Sequence, residues 1–458
     1  MNLPRILLAA GSSGSGKTLV TCGLLQALVN RGLSVASFKC GPDYIDPMFH
    51  TKVIGTGSAN LDTFFTSRER TKYILRQNAE NADIAVMEGV MGYYDGVAGT
   101  TTRASAYDLA DTTDTPVVLV VDSKGMSLSL AAYIKGFMEF RKYSHIKGVI
   151  FNRMSPMLYP RMKQAVEKEL GIKVLGYVPV VTDCLIESRH LGLVLPEEIP
   201  ELKSRLSKLA EVLEGTVDID GLIELAKQAD DLTVMDNLEA EDEAFSYRTS
   251  EEVRIGVADD EAFCFFYKDN FRLLEQMGAK RVRFSPVPDK SLPDNLDGLL
   301  FYGGYPELNA TALEENAGMR KEIADAINGG MPCMAECGGF MYLHDEMEDM
   351  DGNAHKMVGL INGRVYHTGK LGRFGYITLT ENTGDSLGEI PAHEFHYFDS
   401  TSCGEDFHAS KPESNRGWDC IHKIGRLQAG FPHMYYYGNP SVPKAFLQQC
   451  VEYKNERK

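Results

Sequence analysis

The chain predicts a two-domain α/β protein, on three observations. Short, wholly apolar segments alternate with amphipathic ones through the first half, the pattern of a parallel sheet covered by helices on both faces. A glycine-rich loop, Gly11-Ser12-Ser13-Gly14-Ser15-Gly16-Lys17-Thr18, joins the first apolar segment to the first amphipathic one. After an acidic stretch of weak periodicity, a second strand–helix alternation starts and delivers Cys337 to a Gly338-Gly339 turn.

The elements follow in order. Residues 4–10 read as a buried strand and residues 17–30 as a helix with an apolar stripe. Further buried strands are expected at 33–40, 83–88, 116–122, 146–151 and 173–178, with helical stretches between them. Asp230, Asp231, Asp236, Glu239, Glu241, Asp242, Glu243, Glu251 and Glu252 then crowd one segment. The expected boundaries are a first domain over 1–235, an acidic linker over 236–251 and a second domain over 252–458. The second domain begins with a strand at 253–258 and a helix at 266–277. Strands at 281–284 and 297–302 and a helix at 313–328 follow, and a strand at 332–336 leads into Cys337. Beyond residue 358 the pattern shortens, with strands expected at 375–380, 393–398, 418–423 and 426–431.

Bulk properties exclude several classes. With 458 residues the chain exceeds one ordinary core. A hydrophobic fraction of 43% and a charged fraction of 24% are those of a soluble globular protein. A net charge of −17 argues against a nucleic-acid partner, which would need a basic face. No stretch has 18 uninterrupted apolar residues, so no membrane span is expected. The apolar run near the N-terminus flows into the glycine loop, which makes it a core strand rather than a secretory signal. The 9 cysteines are scattered, and none forms a Cys-x-x-Cys pair. Reduced thiols and a cytoplasmic location are therefore expected.

Gly11, Gly14 and Gly16 leave backbone N–H groups free to close around phosphate oxygens, at the positive end of a helix. Lys17 would neutralise the β and γ phosphates, and Thr18 would hold Mg²⁺. Glu88 closes the 83–88 strand, which places it at the carboxyl edge of the sheet, where such sheets bind ligands. It is a second candidate metal ligand. Two further loops, 39–47 (Lys-Cys-Gly-Pro-Asp-Tyr-Ile-Asp-Pro) and 88–96, lie on the same edge and carry acids that metal or substrate can use.

A cysteine between a strand and a Gly-Gly turn suits a nucleophile, because small neighbours tolerate a strained backbone. The helix after it is expected to favour the thiolate. Backbone N–H groups at Gly338, with a second donor from Gly303 or Gly304, are oxyanion candidates. His433, just after the last of the expected strands, is the candidate base. His393 and His396 are its rivals and are read as sharing one strand face. As a metal pair they lack an obvious third ligand.

Taken with runs at 188–193 (Ser-Arg-His-Leu-Gly-Leu), 303–307 and 393–397 (His-Glu-Phe-His-Tyr), these motifs resemble the cobyrinic acid a,c-diamide synthase family, within the cobyric-acid-type amidotransferases. The resemblance covers nearly the whole chain. The first half is similar to dethiobiotin synthetase and the second to class I glutamine amidotransferases. The resemblance implies that Cys337 is the glutaminase nucleophile and His433 its base, without the usual third acid. It implies that Asp46 and Glu88 join Thr18 around Mg²⁺, and that Asp43 and Asp95 lie near the activated carboxylate. The co-substrates would be ATP and L-glutamine, the acceptor a corrinoid or related tetrapyrrole carrying acetate groups. ATP would convert one carboxylate into an acyl phosphate, and ammonia freed at Cys337 would reach it by a sheltered route. The chain departs from the family in having Tyr435 where a second histidine often follows the first. A nickel-sirohydrochlorin a,c-diamide synthase would share every motif; a partitioning-type ATPase would need only the phosphate loop. The sequence is compatible with a homodimer and leaves the substrate's metal and the order of amidation open.

Overall fold

The computed structural model describes residues 2–182, 199–384 and 386–458. The chain divides into two compact units, Met1–Asp236 and Asn237–Lys458. The 188–193 run lies outside the described residues.

The first unit is built on seven strands: β1 (Arg5–Ala10), β2 (Val35–Cys40), β3 (Gly57–Leu61), β4 (Ile84–Glu88), β5 (Val117–Asp122), β6 (Ile146–Asn152) and β7 (Lys173–Val178). They form one sheet in the order β3-β2-β4-β1-β5-β6-β7, parallel throughout. β1, β2, β4 and most of β5 are buried along their length, which is why they read as continuous apolar runs. β3 was not anticipated: its Gly-Ser-Ala-Asn-Leu sequence carries no apolar run, and it sits at the sheet edge. The helix Lys17–Asn30 packs Leu24, Leu25 and Leu28 with Leu206, Leu209 and Leu213 of the helix Ile199–Thr216.

The second unit holds a six-stranded sheet and two smaller ones. Its first strands are β8 (Val253–Ala258), β9 (Ala279–Phe284), β10 (Gly298–Phe301) and β11 (Cys333–Glu336). Then come β12 (His344–Glu348), β13 (Ala354–Lys356), β14 (Ile361–His367), β15 (Phe374–Glu381), β16 (Ile390–Phe395) and β17 (Phe398–Ser400). The last are β18 (Phe407–Ser410), β19 (Gly417–Cys420), β20 (His422–Ile424), β21 (Leu427–Gly430) and β22 (His433–Met434). The main sheet runs β20-β21-β11-β10-β8-β9, with only the β20–β21 pair antiparallel. The sheet β19-β18-β15-β16-β22 is antiparallel throughout and ends on His433.

The helix expected at 313–328 is two helices, Ala310–Glu315 and Ala317–Asn328. They break at Asn316, whose side-chain amide donates to Pro286 O at 2.9 Å and Asp289 O at 2.7 Å. Within the acidic stretch, a short turn at Glu243–Ser246 buries Ala244 and Phe245, and the Phe245 ring lies 5.8 Å from that of Tyr437. Among the described residues no helix is long and apolar enough to cross a membrane.

Candidate functional site

Parallel register assembles the first site. Leu8 on β1 pairs with Glu88 on β4, and Lys39 on β2 pairs with Glu88 from the other side. The loop after β1 and the ends of β2 and β4 therefore meet at the carboxyl edge of the sheet. Gly14 and Gly16 turn that loop with φ of 76° and 84°, the left-handed region where glycine costs least. Gly16 also needs to lack a side chain, since a Cβ there would lie 2.1 Å from Asn152 Nδ2. That nitrogen donates to Ser15 O at 2.8 Å and braces the loop.

Thr18, Glu88 and Asp46 come together around a cation, Lys39, to which sequence analysis assigned no role. Thr18 Oγ1 donates to Glu88 Oε1 at 2.6 Å. Lys39 Nζ donates to the same oxygen at 2.9 Å and also to Asp46 Oδ2. Asp43 Oδ2 stands 3.8 Å from it. Burial alone would lower the Lys39 pKa, but Glu88, Asp46 and Asp43 outweigh it and hold the ammonium firmly charged. Burial likewise pushes Asp46 up, yet Lys39 overrides it and keeps the carboxylate ionised. Asp43 is pushed up to about 6 by burial and then by Asp46. Its Oδ1 accepts from the N–H groups of Ile45 at 2.8 Å and Asp46 at 3.1 Å, so it also shapes the turn. Lys17 Nζ donates to Met91 O at 3.2 Å, and burial lowers its pKa.

Asp95 shapes the neighbouring loop, where its carboxylate accepts from Gly92 N–H at 3.0 Å. That loop abuts the phosphate loop: a Cβ on Gly92 would lie 2.8 Å from Gly11 O. Glu88 is wholly buried, and its Oε2 has no hydrogen-bond donor among the described residues; His50 Nε2 stands 3.9 Å away. Among the described residues no three acidic, histidine or cysteine side chains form a preformed metal cage. Two carboxylates and a hydroxyl, one carboxylate oxygen lacking a donor, fit a hard cation such as Mg²⁺, which completes its shell with water and phosphate.

The second site centres on Cys337, which has φ 47° and ψ −106°. A non-glycine residue held there stores about 1–3 kcal/mol of strain, a feature that clusters at functional sites. Its N–H donates to Gly430 O at 2.8 Å on neighbouring β21, which fixes the turn. Gly339 must lack a side chain, because a Cβ would lie 2.4 Å from that of Phe301. Gly304 N comes within 3.1 Å of where a Cβ on Gly338 would be, so the two oxyanion candidates are adjacent. Gly303 has a different part: a Cβ there would lie 2.6 Å from His433 Cε1. The Cys337 turn and His433 thus both rest on the Gly303-Gly304 loop.

His433 pairs with His393 across β22 and β16, and their rings stack at 4.9 Å and 18°. The expectation that His393 and His396 alternate along one strand does not hold, although both stand near His433. His396 lies past the end of β16 and stacks on Phe431 at 4.0 Å, with its Nε2 3.2 Å from Glu394 Oε2.

The thiolate expectation also needs correction. Cys337 is only 7% exposed, and burial, then Glu307, pushes its thiol well up. The helix after it, Gly338–Tyr342, is too short to offset that. Burial, then His396, depresses His433 to about 3. The resting pair is therefore a neutral thiol and a neutral imidazole. Glu307 is itself pushed up to about 7 by burial. Tyr435 is a core residue, its hydroxyl donating to buried Asp269 Oδ2 at 3.0 Å.

Sequence reasoning missed Lys39, His50 and Glu336. Glu336 immediately precedes Cys337, and its Oε2 is 3.7 Å from His433 Nδ1. Only Lys39 had a local signal, as the cation opening the acid-bearing 39–47 loop.

Comparison with known proteins agrees with this division. Residues 6–193 match the CobQ/CobB/MinD/ParA nucleotide binding domain, and residues 254–434 match the CobB/CobQ-like glutamine amidotransferase domain. A cobyrinate a,c-diamide synthase of Caldanaerobacter subterraneus subsp. tengcongensis is 38% identical, over 98% of this chain and 99% of its own. One from Priestia megaterium is 37% identical over 100% of this chain and 99% of its own, and one from Listeria innocua 38% over 96% and 97%. A nucleotide-binding domain followed by a glutamine amidotransferase domain makes this a glutamine-hydrolysing carbon–nitrogen ligase, and the chain belongs to the cobyrinate a,c-diamide synthase family.

Proposed function

We propose that this protein amidates the a and c acetate carboxylates of cobyrinic acid, using ATP to activate each acid and glutamine to supply nitrogen. The observation that carries the reading is one chain holding two sets of opposite character. One is a Thr18–Glu88–Lys39–Asp46 cluster beside a phosphate loop; the other is a strained cysteine sharing a glycine loop with a buried histidine. The printed names of the near full-length relatives support the acceptor.

In the first site the N–H groups of the glycine loop and Lys17 bind the triphosphate, and Thr18, Asp46 and Glu88 are the residues that would hold Mg²⁺. Bound there, the ion would neutralise charge on the β and γ phosphates. Lys39, kept charged by three carboxylates, draws the substrate carboxylate toward the γ-phosphate, with Asp43 and Asp95 beside it. The carboxylate oxygen attacks phosphorus, ADP leaves, and the acyl phosphate gives the carbonyl carbon a leaving group that a bare carboxylate lacks.

In the second site glutamine's amide carbonyl meets Cys337, with Gly304 and Gly338 N–H groups to receive the oxyanion. His433 takes the thiol proton as sulfur attacks and hands it to the departing ammonia. A neutral resting pair suits this, because proton transfer and attack are coupled and no free thiolate waits for oxidants. Water then releases glutamate from the thioester. Ammonia, unprotonated, displaces phosphate from the acyl phosphate and forms the amide.

The test is mass spectrometry of cobyrinic acid, and separately of nickel sirohydrochlorin, incubated with enzyme, ATP, Mg²⁺ and glutamine. Two successive carboxyl-to-amide conversions on cobyrinic acid are expected. Conversion of nickel sirohydrochlorin alone would transfer the reading to that acceptor, and glutaminase activity without any ligase product would reject it.

A further inference from the structure

A histidine that accepts a proton at one ring nitrogen needs the other held in a fixed state. Glu336 stands at Nδ1 of His433, which leaves Nε2 to take the proton of Cys337. We propose that Glu336 is the positioning acid of the glutaminase site, completing a Cys337–His433–Glu336 relay in which the carboxylate comes from the nucleophile's own strand. This rests on His433 being the base for Cys337.

The placement is a consequence of register. Glu336 ends β11, and as the strand neighbour of Cys337 its side chain points to the opposite face. There Oε2 stands 3.7 Å from His433 Nδ1, and the carboxyl also accepts from the N–H of Met434, the residue after that histidine. Glu336 Oε1 is buried without a hydrogen-bond donor, so the carboxyl has acceptor capacity to spare. At 3.7 Å the Nδ1 contact is longer than a hydrogen bond, as resting catalytic contacts commonly are.

The groups facing the pair are few. His393 stacks on His433 from β16, with His396 beyond that strand. Tyr302, after β10, and Tyr436, after β22, face Glu336. Glu307 and Glu394 act on Cys337. Among these, Glu336 is the acid that stands beside an imidazole nitrogen of His433. Burial lifts the Glu336 carboxyl and depresses His433, so neither charges readily alone. As His433 takes the proton from Cys337 Sγ, its Nδ1–H is donated to the Glu336 carboxylate, and the imidazolium gains a counter-charge. The carbon–sulfur bond forms, the carbon–nitrogen bond breaks, and the proton leaves with ammonia. The carboxylate holds charge and orientation and takes no proton itself.

The test compares Glu336→Gln, Glu336→Asp and His433→Ala in the full chain. The Gln variant keeps the size and the acceptor for Met434 N–H. Its glutaminase kcat should fall by roughly 100-fold or more, with the KM for glutamine within about twofold. The acid limb of its kcat/KM profile should move to lower pH, because a carboxylate that supported imidazolium is gone. Amidation from added ammonia reports that the variant is folded. Should Glu336→Gln fail that check, Glu336→Asp, which retains charge, serves in its place, with a smaller kcat loss and an unmoved limb expected. A kcat loss with the acid limb unmoved in the Gln variant would mean a packing role and overturn the proposal. So would an unchanged kcat while His433→Ala is inactive, which leaves the Cys–His reading standing. Glutaminase surviving in His433→Ala would instead bring down that reading and the proposal together.

Discussion

The two sites handle buried charge in opposite ways. In the first, a buried ammonium stands among carboxylates, and Lys39 is bonded to both Asp46 and Glu88 before any ligand arrives. In the second, the cysteine, the histidine and Glu307 are sealed from water and pushed toward their neutral forms, while Glu336 accepts from Met434 N–H, a bond that favours its ionised form. A site that receives a triphosphate and a carboxylate gains from fixed charges already in place. A site that makes a nucleophile for one turnover gains from staying neutral until substrate triggers proton transfer. The strain sits accordingly: Cys337 has φ 47°.

The comparison breaks first, and most visibly, through paired substitutions. Cys337→Ser should lower glutaminase and glutamine-driven amidation by roughly a thousandfold or more, while amidation from added ammonia continues. Lys17→Ala should do the reverse, removing amidation from either nitrogen source while leaving glutamine hydrolysis measurable. Rates of glutamate release and of amide formation, taken side by side, check both. If Cys337→Ser also loses the ammonia reaction, the sites are not the separate machines drawn here.

A finer cut comes from Gly303. An alanine Cβ would lie 2.6 Å from His433 Cε1, a distance neither group can keep, so the imidazole must shift. A displacement of about 1 Å near a reacting centre costs about 100-fold in rate. Gly303→Ala should therefore lower glutaminase kcat by roughly that factor and spare ammonia-driven amidation. A variant with full glutaminase activity would show that His433 has room to spare and weaken its assignment as base.

This residue also shows where sequence reading stops. The motif that placed Gly303 near the cysteine was legible, because a glycine pair after an apolar strand is a local signal. Its clearance for a histidine 130 positions downstream depends on how β22 lies against β10, which no local pattern encodes. The same limit hid Glu336, whose partner is fixed by register, and the polar edge strand β3. It also hid β12 and β13, whose sequences His-Asp-Glu-Met-Glu and Ala-His-Lys lack an apolar run. By contrast the buried parallel strands β1, β4, β5 and β7 were placed to within a residue or two, since burial on both faces writes itself as continuous apolar sequence. The helix dipole was read from sequence as enough to make a thiolate, and burial, visible only in three dimensions, outweighed it.

The electrostatic contrast has a pH signature. Burial depresses His433 to about 3 and His344 to about 4, and lowers His393 as well. A histidine with a depressed folded pKa favours unfolding once the medium falls below its ordinary value, because the unfolded chain takes up a proton that the folded one refuses. The loss runs from about pH 6.5 downward and reaches about 3 kcal/mol for each of His433 and His344 near pH 4. Raised carboxyls oppose the histidines in both units as pH falls: Glu307, raised to about 7, and Glu336 in the second, and Asp43, raised to about 6, in the first, where His50 has the histidine sign. Calorimetry from about pH 6 to about pH 4, where the three histidines outweigh the two carboxyls, should show the amidotransferase unit losing stability faster, with ATP and Mg²⁺ raising the other transition and so identifying it. Equal losses in both would mean that buried histidines do not set the difference.

The smallest effect separates packing from chemistry inside the second unit. Tyr435 follows His433 by two residues, the position at which the chain departs from the family it resembles, and its hydroxyl donates to Asp269 Oδ2 at 3.0 Å. Asp269 is 1% exposed, with Arg272 Nη1 3.3 Å from its other oxygen. Tyr435→Phe removes one donor from a buried carboxylate and should cost about 1–3 kcal/mol, read as a lower denaturation midpoint. The ring stays, so its edge-to-face contact with Tyr267 at 5.0 Å persists and β22 keeps its course. Glutaminase kcat at 25 °C and its pH profile should therefore remain within about twofold of the parent. A large kcat loss without a stability change would instead move Tyr435 from the scaffold into the reacting groups.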